Sequence, residues 1–225
     1  KRFIKTGKNI WGSYTQVFGG VTMDEFWRAM RRVIEKYFHQ PNYYTIDGKP
    51  VFMIYDVPKL VSGLGGIDAA REAIAWFREE CVRSGLPGLH LQFTMWNEKC
   101  TNLSGVDGVK TVSAKEFGGV GFDSCSHYQF VHFLNIDRSY EELLPEVEAE
   151  WKRLESEFDF PYFPHVSVGW DNNPRFNDFR PGVMKNCTPE NIERALRMAR
   201  DYADRHPEQP PLITVNSWNE WTESS

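Results

Sequence analysis

Two glutamates stand three residues apart near the end of the sequence, in Trp218-Asn219-Glu220-Trp221-Thr222-Glu223. They directly follow the apolar, strand-like run of residues 212–218. On a straight strand, positions i and i+3 point to opposite faces. On a helical turn they share a side, with Cβ atoms about 5–6 Å apart. A turn over residues 219–223 therefore brings Glu220 and Glu223 into one pocket. Such a pair suits cleavage of a glycosidic bond: one carboxyl protonates the leaving oxygen and the other acts as base or nucleophile. An aromatic pocket raises the pKa of one of them and keeps a proton donor near neutral pH. The rival reading is a solvated surface turn that happens to carry two glutamates.

Similar clusters follow other apolar runs. They are Tyr55-Asp56, Trp96-Asn97-Glu98, His127-Tyr128 and Trp170-Asp171-Asn172. Trp96 and Trp170 are either stacking platforms for sugar rings or packing residues at a rim. Asp171 and Arg175 either bind sugar hydroxyls or a charged substituent, or pair locally to order a loop. Tyr55, Tyr128 and His127 are expected as pocket groups, with Asp56 beside them. Asn219, next to Glu220, is placed to bond a hydroxyl, and Trp221 lies between the glutamates. Glu98 is a third strand-end carboxylate that could substitute for one of the pair. His165, inside a run, reads as a satisfied core histidine.

The elements that must position these groups alternate along the chain. Helical spacing covers residues 23–38, with Thr22 and Glu25 forming a capping-box pattern. Further helices are expected over 68–84, 139–157 with Ser139 as cap, and 189–205 behind Thr188-Pro189. Strands are expected at 51–57, 89–95, 119–128, 162–170 and 212–218. Five strands alternating with helices indicate parallel βα units. An open doubly wound sheet would carry a glycine-rich phosphate loop after an early strand. Gly63-Leu64-Gly65-Gly66 lacks that spacing. The polar and aromatic clusters at successive strand ends favour a (β/α)8 barrel, whose sites lie at the C-terminal strand ends. Five strands do not close such a barrel. The expectation is thus a single catalytic (β/α)8 domain over residues 1–225, covering about strands four to eight, and incomplete at the N-terminus and after the last strand.

Composition is that of a globular chain of 225 residues, 41% hydrophobic and 25% charged, with 15% aromatic residues including 8 Trp. The net charge of -5 and the lack of a long basic run argue against nucleic acid as a partner. No apolar stretch reaches the 18 residues of a membrane span. The 4 cysteines, at 81, 100, 125 and 187, show no CxxC and read as free thiols. No His or Cys spacing suits a metal, so neither metal nor cofactor is expected; with the paired glutamates, the expected partner is a carbohydrate.

Asn219-Glu220-Trp221-Thr222-Glu223 resembles the N-E-W-x-E-G signature of glycoside hydrolase family 99 and the related WbsX-type proteins. Asp47-Gly48-Lys49-Pro50 with the following apolar run and Tyr55-Asp56 resembles the strand-four segment of that family. Gly169-Trp170-Asp171-Asn172 with Arg175 resembles the strand-seven segment of WbsX-type chains. The resemblance implies a (β/α)8 barrel and endo-acting, retaining hydrolysis of α-mannosides without a metal. It implies that Glu220 deprotonates the 2-hydroxyl of the sugar, giving an anhydro-sugar intermediate, and that Glu223 is general acid and then base. Where the family has Gly after the second glutamate, this chain has Ser224. Two other functions stay open: a glycosyltransferase of surface-polysaccharide assembly and a noncatalytic sugar-binding barrel. Degradation of polysaccharide would place the protein in the periplasm or outside the cell, and biosynthesis in the cytoplasm.

Overall fold

The computed structural model describes residues 4–9, 12–17, 21–95 and 119–225. Trp96, Asn97, Glu98 and Cys100 lie outside the described residues. The chain opens on an antiparallel hairpin of β1 (Ile4–Asn9) and β2 (Gly12–Val17). Helix α1 (Met23–Val33) starts on the expected capping box: Thr22 Oγ1 accepts from the Glu25 N–H, and the Glu25 carboxylate accepts from the Thr22 N–H. It continues as one π-helical turn over Ile34–Phe38. A second hairpin joins β3 (Thr45–Ile46) to β4 (Lys49–Ile54). Its two-residue turn is Asp47-Gly48, at φ 51 and 74, the positive values that the tight hairpin turn requires.

From β4 onward the strands are parallel. β4, β5 (His90–Met95) and β6 (Ser124–His127) pair in order, and β7 (His165–Ser167) pairs with β8 (Thr214–Asn216). A parallel bridge between Cys125 and Tyr162 joins the two groups. Across it the Cys125 N–H donates to Pro161 O at 3.1 Å, and the Phe163 N–H donates to Cys125 O at 2.9 Å. Five parallel strands thus follow one another in sequence order, forming the sheet of a half-barrel. Helices α2 (Val57–Leu64) and α3 (Ile67–Arg83) link β4 to β5, α4 (Tyr140–Glu157) links β6 to β7, and α5 (Pro189–Asp204) links β7 to β8.

All five expected strands are present, each shorter than its apolar run. Helix α2 was not anticipated, because residues 57–64 continue the apolar stretch of β4. Gly65, at φ 99, closes α2, and Gly66, at φ 129, opens α3. Gly63-Leu64-Gly65-Gly66 is therefore a joint between helices rather than a phosphate loop. Ser139 stands at the start of α4 but makes no side-chain cap; its Oγ accepts instead from Asn186 Nδ2 at 2.7 Å.

The period-2 alternation of strands gives the sheet two unlike faces. One face, carrying Leu91, Phe93, Met95, Cys125 and Val166, is buried in the hydrophobic core. Phe93 meets Phe122 and Phe158 with ring centroids 4.8 and 5.8 Å apart, and Phe52 of β4 packs on Phe77 of α3 at 5.5 Å. Full burial of a side chain such as Phe77 contributes about 2–3 kcal/mol. The opposite face carries His90, Gln92, Thr94, Ser124, Ser126, His165, Ser167, Thr214 and Asn216. Branched apolar residues usually fill that position in barrels. Here hydrogen bonds take their place: His90 Nε2 to Ser124 Oγ at 2.7 Å, Ser126 Oγ to Thr214 Oγ1 at 2.6 Å, and His165 Nδ1 to Thr214 Oγ1 at 2.9 Å. His165 also meets Ser167 Oγ at 3.2 Å, and burial pushes its pKa down to about 3. It is a neutral, hydrogen-bonded interior histidine, as its place in the sequence suggests.

Candidate functional site

The carboxyl ends of the strands carry the candidate groups. After β8 the chain passes a cis Asn216–Ser217 peptide and enters a 3-10 turn over Trp221–Glu223. The turn closes through the Glu223 N–H donating to Glu220 O at 2.8 Å. Glu220 and Glu223 share one partner as a result. Arg175 Nη2 lies 3.1 Å from Glu220 Oε2, and Arg175 Nη1 lies 2.5 Å from Glu223 Oε1. Its Nε donates to Thr222 Oγ1 at 2.9 Å. All three guanidinium nitrogens thus hold one short turn, a match between a planar fork and two carboxylates that lysine could not make.

The two glutamates differ in environment. Glu223 is only 7% exposed, whereas Glu220 lies partly open to solvent on the wall of the hollow described below. Burial raises the Glu223 pKa above its ordinary value; Arg175 opposes this and the Glu220 charge adds to it. One carboxyl is thereby biased toward its protonated form beside another group of the same kind.

The 220–223 turn is also tied to the loop after β7. The Asp171 N–H donates to Glu223 O at 2.7 Å. Asp171 Oδ1 accepts from the backbone N–H and side-chain amide of Asn173, at 2.9 and 2.7 Å. Asp171 thus orders the loop that delivers Arg175, and its partner is Asn173 rather than Arg175. Gly169 allows the close approach of the two segments, since a Cβ there would lie 2.6 Å from Ser224 O. Ser224 adopts φ 50, the left-handed conformation that glycine takes most easily. The serine therefore keeps a glycine-like turn.

Aromatic side chains form a row across the strand ends. Tyr55 and Tyr128 meet edge to face at 5.1 Å, Tyr128 and His132 stack at 5.6 Å, and His132 lies 6.3 Å from Trp170. Burial raises the pKa of both tyrosines, and the charges of Glu220 and Glu223 add to the effect. His132 is pushed down to about 4, chiefly by burial, and is neutral at physiological pH. Sequence reasoning missed His132; its only signal was a place four residues after Tyr128. Trp170 is half-buried and packed against the core. Trp218 and Trp221 are 93% and 81% exposed.

Two expected groups are turned elsewhere. His127 has the opposite strand parity to Tyr128. Its imidazole is fully buried on the helix side, 2.8 Å from Tyr162 Oη and 3.5 Å from Glu150 of α4. Alternation along β6 turns its ring away from the side taken by Tyr128, although the residue still borders the hollow described below. Asp56 caps α2: Oδ1 accepts from the Lys59 N–H at 3.0 Å, and Oδ2 pairs with Lys59 Nζ at 2.6 Å. Below the mouth is a hollow of about 510 Å³, bordered by Tyr55, Tyr128, Thr94, Asn216, Trp218, Asn219 and Glu220 among others. That volume is in the range of small-molecule sites.

Fold and site together define an α/β half-barrel protein with paired carboxylates and an aromatic rim at its carboxyl strand ends. The sequence family described as "Glycosyltransferase WbsX" matches residues 15–225, and the chain belongs to that family. Two relatives, both called "Uncharacterized protein WxcX", come from strains of Xanthomonas campestris pv. campestris. One is 21% identical over 210 residues and the other 20% over 204, each alignment covering 85% of this chain and 26% of the relative. This chain thus spans about a quarter of the length of these relatives. Among solved structures, it is similar to the family 99 endo-alpha-mannosidase of Bacteroides thetaiotaomicron. The TM-score is 0.59 at 15% identity, over 92% of this chain and 52% of that one. The complex of that enzyme with bis-tris-propane gives a TM-score of 0.58 at the same identity. At this identity the likeness is one of fold.

Proposed function

We propose that this chain is the catalytic part of a glycoside hydrolase, with β4 to β8 as strands four to eight of a (β/α)8 barrel. The observation that carries the reading is the single guanidinium holding Glu220 and Glu223 at the carboxyl end of β8. A glycosidase needs two carboxyls of unlike protonation across one bond. Glu223, buried and with its pKa raised, suits the general acid that protonates the leaving oxygen and then, as carboxylate, activates water. Glu220, the more open of the two, suits the base. In the mechanism carried over from the family resemblance, it removes the proton of the 2-hydroxyl as that oxygen attacks the anomeric carbon. The bond to the leaving sugar breaks, and Glu223 supplies its proton. Water, giving a proton to Glu223, then opens the anhydro ring at the anomeric carbon while Glu220 returns its proton to the 2-oxygen, and the configuration is retained. Tyr55, Tyr128, Trp170, Trp218 and Trp221 supply aromatic faces for sugar rings, and Asn219 supplies an amide for a hydroxyl. The substrate is a polysaccharide or oligosaccharide, α-mannosidic by the same resemblance.

The test is separate replacement of Glu220 and Glu223 by Gln in the whole protein, assayed on an α-mannan. Both variants should bind the polysaccharide and lose turnover by about 10²- to 10⁴-fold. Unchanged turnover in either removes its assigned role. The family description favours a second reading, transfer of a sugar during polysaccharide assembly. Its test is incubation with nucleotide-activated sugars and an acceptor glycan; acceptor extension without cleavage of mannan would establish transfer instead.

A further inference from the structure

The hollow that Glu220 borders is also lined by buried polar groups that nothing in the described residues satisfies. Asn216, at the end of β8, is 5% exposed, and neither its Nδ2 nor its Oδ1 has a hydrogen-bond partner among the described residues. Thr94, near the end of β5, is 4% exposed, and its Oγ1 is likewise without a partner there. Ser217 Oγ, next to Asn216, is a third such group. All three residues border the same hollow as Glu220.

Their neighbours make the contrast informative. On the same face of the sheet, Ser126, Thr214 and His165 are bound to one another at 2.6 and 2.9 Å. The polar interior is therefore able to satisfy itself in part, although Gln92 Nε2 on the same face is also without a partner among the described residues. Around the hollow, the unpartnered groups of Thr94, Asn216 and Ser217 gather on the lining that Glu220 shares. A buried polar group without a partner is costly, and such groups in folded proteins usually mark a role. An amide that both donates and accepts, with two hydroxyls beside it, matches the hydroxyls of a neutral polyol. None of the three carries the charge that would hold a carboxylate or phosphate.

We propose that Thr94, Asn216 and Ser217 form a hydroxyl-reading subsite that receives the sugar unit held at Glu220 and Glu223. This rests on the reading of the site as a carbohydrate site and adds residues to it. The sugar enters far enough for ring hydroxyls to replace the solvent of the hollow. Each bond made there selects a hydroxyl of defined position, because a site built to bond a hydroxyl rejects the analogue lacking it.

The experiment uses the whole protein in a Glu220→Gln background, which suppresses turnover. Thr94→Val and Asn216→Leu are introduced separately, as apolar replacements of similar size. Binding of α-mannotriose and of a set of its monodeoxy analogues is measured by titration calorimetry, and Tm by scanning calorimetry. Each variant should weaken binding of the parent sugar by roughly three- to tenfold, the worth of one neutral hydrogen bond. Each should be indifferent to the loss of one particular hydroxyl, while Tm holds or rises. Removing unsatisfied polar atoms in favour of packed apolar ones is neutral or stabilising. A fall in Tm of several degrees would show that these groups have structural partners, and would overturn the proposal. So would unchanged affinity, or an equal response to every deoxy sugar. If the Glu220→Gln protein binds no mannan or mannotriose and the parent cleaves none, the carbohydrate reading itself fails. If it binds them and only the variants behave as unmodified, the subsite alone is refuted.

Discussion

Replacing Arg175 with Met tests the electrostatic core of the site. The guanidinium makes two charged contacts, 2.5 Å to Glu223 and 3.1 Å to Glu220, and one hydrogen bond to Thr222. A hydrogen bond to a charged group contributes about 1.5–3 kcal/mol when sheltered. The Arg175 side chain is 42% exposed, so the exposed-pair value of about 0.2–1 kcal/mol per contact is the better guide for Glu220. The sheltered contact to Glu223 keeps the larger figure. The expected loss of stability is about 2 kcal/mol, or roughly 4–8 °C in Tm for a chain of this size. The protein escapes part of the cost by protonating Glu223. Its pKa is already raised by burial against the opposing pull of Arg175, so loss of the cation raises it further. In the folded state such a group binds a proton that the unfolded chain has released. Stability therefore falls as pH rises through the window between the ordinary and the raised value, and in the variant that window extends upward. The alkaline limb of the pH-rate profile, where the general acid loses its proton, should move to higher pH. Turnover at neutral pH should fall by about 10- to 100-fold as the turn loosens. Arg175→Lys keeps a charge but not the fork, and should restore the limb better than the rate. A variant with unchanged Tm and an unmoved alkaline limb would refute the coupling of Arg175 to the pair.

Other perturbations follow from the same geometry. Ala at Gly169 would drive its Cβ against Ser224 O, with an expected cost of about 1–3 kcal/mol by chemical denaturation and a larger proportional loss of turnover. Gly at Ser224, which sits at φ 50, should raise stability by up to about 1 kcal/mol, and a drop in Tm would count against the left-handed turn. Glu150 of α4 is held down to about 2, against its burial, by the hydrogen bonds from Arg153, with the nearby His127 ring adding to the effect. A depressed carboxyl contributes stability that is present above its ordinary pKa and lost as pH falls toward the folded value. Acid titration followed by circular dichroism should therefore show up to about 3 kcal/mol lost below pH ~4.5, and less in Glu150→Gln.

The strand-end pattern was legible because it depends on local rules. Apolar runs ending in aromatic and polar clusters located all five parallel strands, and the i, i+3 spacing of Glu220 and Glu223 required a turn if they were to share a pocket. The capping box at Thr22 was equally local. The His127 ring was misplaced although strand parity, itself a local rule, was available: the residue borders the hollow, but its imidazole faces the helix layer. Asp56 was misplaced for a different reason. The helix that it caps begins at Val57, where the expected strand ended, and the eight residues of that helix are too few for periodicity to announce it.

What the sequence determined by itself is the order of parallel strands and the pair of glutamates on a tight turn, because chain periodicity and turn geometry act over a few residues. Only the tertiary structure decided that Arg175, 45 residues before Glu220, grips both carboxylates, that His132 joins the aromatic row, and that Thr94 and Asn216 face one hollow. Those meetings depend on how neighbouring strands align and on which side chains the packed helices leave room for. Spacing along the chain carries no record of either.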